Sequence, residues 1–112
     1  MVGHGNIAKL QDAILRFCEE RDWCQYHNGK DLAIAISVEA SELLESFLWK
    51  DASAAPLRKI KEELADVIIY ALLMAKVYDL DVAAIVEEKL RSNDKKYPAE
   101  KVKGKALKYT EV

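Results

Sequence analysis

Glycine and proline are scarce, four and two in 112 residues. So few chain breakers argue against a turn-rich β fold and favour long uninterrupted helices. Cysteine is limited to Cys18 and Cys24, and histidine to His4 and His27. Two thiols without a second pair, and two histidines not spaced as ligands, make neither a disulfide framework nor a Cys/His metal site. Reduced thiols in a cytoplasmic protein are the better fit. A long hydrophobic run is missing too: Leu64–Val77 is the longest apolar stretch, it contains Asp66, and it is too short to span a bilayer. Met1–Gly5 leads straight into an amphipathic segment, without the pattern of a signal peptide. A soluble chain with no membrane partner is expected.

A broad basic face is also lacking. The net charge of −2 divides unevenly: residues 1–88 carry nine Lys/Arg against sixteen Asp/Glu, and residues 89–112 carry eight against three. An acidic body with a basic end is not the profile of a nucleic-acid-binding domain. It suits a small anionic ligand held between cation-loaded carboxylates and a few cationic side chains. With 51% hydrophobic and 32% charged residues, the chain reads as ordinary globular protein. At this length one domain over 1–112 is expected, and oligomerisation is a natural source of further stability.

What is present is helical periodicity. Ile7, Leu10, Ile14, Leu15, Phe17 and Cys18 form an apolar stripe over about 6–21, with charged residues opposite. An aromatic-rich loop follows over 22–30, where Trp23 and His27 lie. Asp31 is placed to cap a second helix running to about Trp49 or Lys50. Pro56 suits the first turn of a third helix ending near Val77 or Tyr78. Its apolar part is hydrophobic on nearly every side, which implies burial in a subunit interface as well as in the core. Asp81 is a plausible cap for a fourth helix over about 82–95, ended by Tyr97-Pro98. Residues 99–112 form a basic, weakly patterned tail. The expected fold class is all-α, a four-helix bundle protomer assembling as a dimer or a dimer of dimers.

Four acids stand out: Glu39-x-x-Glu42 on the second helix and Glu63-x-x-Asp66 on the third. The i, i+3 spacing puts each pair on one helix face. An isolated E-x-x-E is usually a solvated charged surface, but both pairs sit in apolar runs, where an uncompensated carboxylate is costly. The i+4 positions are Leu43, Ser46, Val67 and Tyr70, so no downstream lysine or arginine neutralises them; only Glu63 has a base one turn upstream, Lys59. Facing pairs make a four-carboxylate box that calls for a cation. A di-iron bundle requires Glu-x-x-His pairs, which are missing. Oxygen-only ligation favours Mg²⁺, with Mn²⁺ the alternative.

Lys89, Asn93, Lys96 and Tyr97 share a face of the fourth helix and are candidate phosphate ligands, against the alternative of a solvated helix end. Trp23 and Trp49 follow the first and second helical stripes. Each reads as a core lid or as a stacking surface for a nucleobase. Tyr70, one turn beyond Asp66, either meets the box or packs in an interface. His27 is a donor to a base or phosphate, or an incidental loop residue.

Together these residues resemble the all-α nucleoside triphosphate pyrophosphohydrolases of the MazG superfamily, and within it the dCTP pyrophosphatase branch. The strings that carry the resemblance are Glu20-Arg-Asp-Trp23 with Tyr26-His27, Glu39-Ala-Ser-Glu42-Leu-Leu-Glu, Phe47-Leu-Trp49-Lys50, Glu62-Glu63-Leu-Ala-Asp66-Val-Ile-Ile-Tyr70, Lys89 with Asn93, Lys96-Tyr97-Pro98, and Lys108-Tyr-Thr-Glu111. The resemblance implies hydrolysis of a (deoxy)nucleoside triphosphate, dCTP or a modified dCTP, to the monophosphate and pyrophosphate. It implies Mg²⁺ at Glu39, Glu42, Glu63 and Asp66, with Glu39 or Glu42 orienting the water. Trp23, Trp49 and Tyr70 would line the base and sugar pocket, and Lys89 and Asn93 would reach the phosphates. Ile14 stands where some branch members carry histidine, which leaves the base preference open. The alternatives are a house-cleaning hydrolase of other non-standard nucleotides, a non-catalytic nucleotide or metal sensor, and a structural helical module.

Overall fold

The computed structural model describes residues 4–112, with side chains from residue 6 onward. Every regular element among these residues is helical. The long helices are α1 (His4–Glu20), α2 (Gly29–Glu45), α3 (Leu57–Val77) and α4 (Val82–Lys96), followed by a one-turn α5 (Ala99–Val102). Short 3₁₀ turns occupy Cys24–Tyr26, Ala52–Ala54 and Tyr109–Glu111. The all-α expectation holds, with the four long helices that a bundle takes. Two details differ. α1 begins at His4, ahead of the expected start near residue 6, and the basic tail carries α5 and a 3₁₀ turn. No helix among the described residues is long and apolar enough to cross a membrane.

The chain divides into two compact units, one ending at Leu80 and the other beginning at Asp81. In the first unit α2 turns back through residues 46–56 and packs along α3, while α1 packs against α3. Cys18, Leu32 and Leu73 make the buried centre, with Ile14, Cys24, Tyr70 and Met74 packed around it. Gln11 Nε2 donates to the Leu72 carbonyl at 3.3 Å and ties α1 to α3.

The start of α2 is capped by Asn28, not Asp31. Asn28 Oδ1 accepts from the Asp31 amide at 2.9 Å, and its Nδ2 donates to Asp31 Oδ2 at 2.8 Å. That bond satisfies one of the unpaired amides of the first helical turn. Gly29 opens the helix because a Cβ there would meet the ring and hydroxyl of Tyr78. The helix also stops earlier than its apolar pattern suggests. The amides of Phe47 and Leu48 bond three residues back, to Leu44 and Glu45. The chain then leaves the helix at Trp49 with φ 61°. Pro56 precedes α3 as its N-cap instead of sitting in its first turn. The cap at Asp81 is as expected, with Oδ1 accepting from Ala84 N at 3.0 Å.

The apolar stretch of α3 is not buried on every side within one chain. Leu72, Leu73 and Ala75 are buried, but Leu64 and Ile68 are 45% and 44% exposed. Ile34 and Val38 of α2 are likewise half exposed.

Candidate active site

Glu39 projects from the middle of α2, and Glu63 and Asp66 from adjacent turns of α3. One carboxylate oxygen from each lies within 4.8 Å of the other two. Glu63 is 8% exposed. Its Oε1 accepts from Lys59 Nζ at 3.3 Å, while its Oε2 is buried without a partner. Glu39 Oε2 is buried and unpartnered as well. Glu42 stands beside this threesome, near enough to Glu39 to raise its carboxyl.

This crowding has an electrostatic consequence. Burial, the nearby Glu42, and the charges of Asp66 and Glu63 push the Glu39 carboxyl up to about 7. Adjacent carboxylates in a partly desolvated place cannot all ionise cheaply. Burial, followed by the charges of Glu39 and Asp66, also pushes the Tyr70 phenol upward. Tyr70 therefore faces the acids as a neutral hydroxyl. The residues fit a divalent cation: the donors are all oxygen, and two of those oxygens are buried with nothing to satisfy them. Hard ions such as Mg²⁺ take this donor set.

Beside the acids lies a cleft of about 440 Å³, lined by Ile14, Phe17, Cys18, Trp23, His27, Asp66 and Tyr70 among others. Its size falls in the range of small-molecule sites. Asp66 belongs both to this cleft and to the acid group.

A helix terminator delivers Trp23 to the cleft wall. Asp22 takes the left-handed conformation at φ 56°, and the Trp23 amide donates back to the Cys18 carbonyl at 2.9 Å. This six-residue closure characteristically brings an apolar residue just past the helix onto its last turn. Here Trp23 meets Phe17 edge-on, with centroids 5.8 Å apart. Arg21 braces the pair: its guanidinium carbon lies 3.6 Å from the Phe17 ring centroid, and Nη1 donates to the Phe17 carbonyl at 3.0 Å.

The first unit thus brings together Glu39, Glu42, Glu63, Asp66, Tyr70, Trp23 and His27. Trp49 is not among them; it is fully exposed and outside the cleft. Lys89, Asn93 and Lys96 lie on α4 of the second unit, with Tyr97 as its C-cap. There the Tyr97 amide donates to the Asn93 carbonyl at 2.7 Å, and the Lys96 ammonium sits 5.4 Å from the Tyr109 ring centroid. Glu62, the neighbour of Glu63 in sequence, pairs loosely with Arg58 at 3.9 Å. Phe17 and Cys18, members of the apolar stripe of α1, also line the cleft. The signal for Phe17 was available: it lies three residues after Ile14, on the same helix face, and six before Trp23.

The fold and site define a class: a helical protein with an acidic candidate cation site opening onto an aromatic-lined cleft. The family model for the MazG-like family matches residues 34–112, and the chain belongs to that family. Over 104 residues it is 36% identical to dCTP pyrophosphatase 1 of Rattus norvegicus and to that of Homo sapiens, matching 86% of this chain and 61% of each relative. The chain spans about three-fifths of the length of these curated relatives. A crystal structure of a pyrophosphatase from Archaeoglobus fulgidus superposes with a TM-score of 0.79 at 34% identity, covering 88% of this chain and 97% of that one.

Proposed function

We propose that this protein hydrolyses a (deoxy)nucleoside triphosphate, with dCTP or a modified dCTP as substrate, to the monophosphate and pyrophosphate. The observation that carries this reading is the sharing of Asp66 between the acid group and the aromatic cleft. A base held in the cleft would put its phosphates toward the acids. The relatives' names, dCTP pyrophosphatase and pyrophosphatase, support the same reaction.

Glu39, Glu42, Glu63 and Asp66 would hold Mg²⁺, or Mn²⁺, which when bound supplies charge neutralisation for the phosphate oxygens. The remaining work falls to the chain. Glu39 and Glu42, one helical turn apart on α2, orient the attacking water, and the one of them not engaged by the metal takes up its proton. The water attacks the α-phosphorus and pyrophosphate leaves. Trp23 offers a stacking face, His27 a polar group for the base, and Tyr70 a neutral hydroxyl donor for the sugar or α-phosphate. The free thiols of Cys18 and Cys24 suit a reducing, cytoplasmic setting.

Trp23→Ala tests the base site. Base–aromatic stacking contributes about 1–3 kcal/mol, so KM is expected to rise about 10–100-fold while the affinity for Mn²⁺ alone is unchanged. An unchanged KM would put the base elsewhere. Comparing kcat/KM for dCTP, 5-substituted dCTP, dUTP and dTTP resolves the base preference. Self-association belongs to the same proposal: Ile34 and Val38 on α2, and Leu64 and Ile68 on α3, are half exposed in the single chain, and such apolar side chains suit burial against a second copy. Sedimentation showing only monomer at micromolar concentration would contradict it.

A further inference from the structure

Lys59 is a cation seated on the acid group, one turn before Glu63 on α3. Its Nζ holds Glu63 Oε1 at 3.3 Å. The other oxygen of that carboxylate is buried without a partner, and Glu63 belongs to the threesome with Glu39 and Asp66. The two ends of this ion pair differ in exposure: the Glu63 side chain is 10% exposed and the Lys59 side chain 49%. The carboxylate is fixed by its burial, whereas the ammonium is free to swing on its four-carbon stem.

Two cations cannot share this carboxylate without cost. A divalent ion at the unpartnered oxygen would stand a few ångströms from the ammonium, and repulsion at that distance persists even at the effective dielectric of a protein surface. The ammonium therefore opposes metal binding until an anion arrives to neutralise it. The start of α3 offers an anion a favourable place. Lys59 is the third residue of α3, whose first turn contains no acid and whose N-cap offers no side-chain hydrogen bond. The positive end of the helix dipole is thus left uncompensated beside the lysine.

We propose that Lys59 is a place-holding cation on the metal-free site that transfers to the triphosphate, as a substrate ligand, when metal and nucleotide bind. The triphosphate half rests on the function proposed above; the place-holding half does not. The switch exchanges one charge-assisted hydrogen bond, ammonium to Glu63, for another, ammonium to a phosphate oxygen.

The two halves make opposite predictions for Lys59→Met. Binding of Mn²⁺ alone, measured by calorimetry, is expected to tighten about 5-fold, the upper end for a half-exposed ion pair. Binding of inorganic tripolyphosphate in the presence of Mn²⁺ is expected to weaken about 10-fold or more, the range of a hydrogen bond to a charged group. Lys59→Arg should keep both wild-type values, and Lys61→Met, on the same helix, should change neither. Unchanged or weaker Mn²⁺ binding by Lys59→Met overturns the place-holding role, and unchanged tripolyphosphate binding overturns the ligand role. Neither arm uses nucleotide turnover, so a wild-type protein that failed to hydrolyse nucleotides would refute the proposed function and leave both arms readable. Wild-type helicity of Lys59→Met by circular dichroism, together with the Lys59→Arg result, separates these outcomes from misfolding.

Discussion

Replacing Asp66 by Asn, or Glu63 by Gln, is expected to cut nucleotide hydrolysis by at least about 100-fold, because groups that merely orient metal ligands already cost about 10–100-fold when removed. Asp66 carries the larger burden, since it alone of the acid threesome also lines the aromatic cleft. The expected effect on stability has the opposite sign. In the metal-free protein Asp66 is one of the charges that push the Glu39 carboxyl upward, so Asp66→Asn relieves like-charge repulsion and should raise Tm in the presence of a chelator. Loss of activity with a Tm that rises without metal, and that no longer responds to added Mg²⁺, is the signature of a cation site. An inactive variant with a lowered Tm would indicate that Asp66 serves the fold. Glu63→Gln is the less clean of the two, because it also breaks the Lys59 ion pair.

The second large effect is in pH. Glu39 is pushed from 4.5 up to about 7 in the folded protein. Between those values the folded chain holds a proton that the unfolded chain has released. The stabilising contribution of protonated Glu39 is thus fully present below about 4.5 and is lost as pH rises through about 7,. Metal-free protein should lose stability across that window. A divalent cation requires the carboxylate form, so its binding must displace the proton. Mn²⁺ affinity should therefore fall about 10-fold between pH 8 and pH 6, with proton release on binding near pH 6. Thermal scans and calorimetry in buffers of different ionisation enthalpy provide the readout. Metal-free stability that is flat between pH 5 and 8 would show that the acids are further apart or better hydrated than the structure places them.

The carboxylate box was legible in the sequence because helical spacing is rigid: Glu39, Glu63 and Asp66 meet once α2 folds back on α3. Glu42 lies close enough to act on Glu39 but outside the threesome, a distinction that spacing cannot make. The long helices were legible from period and from scarce glycine and proline. Their ends were less so. Asn28 and Asp31 are both good caps in composition, and the close approach of Tyr78 to Gly29 is a tertiary fact that no local signal carries. The delivery of Trp23 into the cleft was hidden for a related reason. It depends on Asp22 adopting the left-handed conformation, which aspartate tolerates but does not announce. Trp49 is the converse case: its aromatic character suggested a pocket wall, and its left-handed backbone leaves it fully exposed in the single chain. The Lys59–Glu63 pair was visible as an i, i+4 spacing, but the unpartnered second oxygen of Glu63, which gives the lysine its interest, was not.

The central claim is that the acid group and the cleft together form one metal-dependent site for cleavage at the α-phosphorus. It is tested most directly by product analysis across a panel of deoxynucleoside and ribonucleoside triphosphates, with Mg²⁺ and with a chelator. The account predicts monophosphate and pyrophosphate in equal amounts, formed only with the metal and lost in Asp66→Asn. Release of orthophosphate with a diphosphate product, or turnover that persists in chelator, would contradict it.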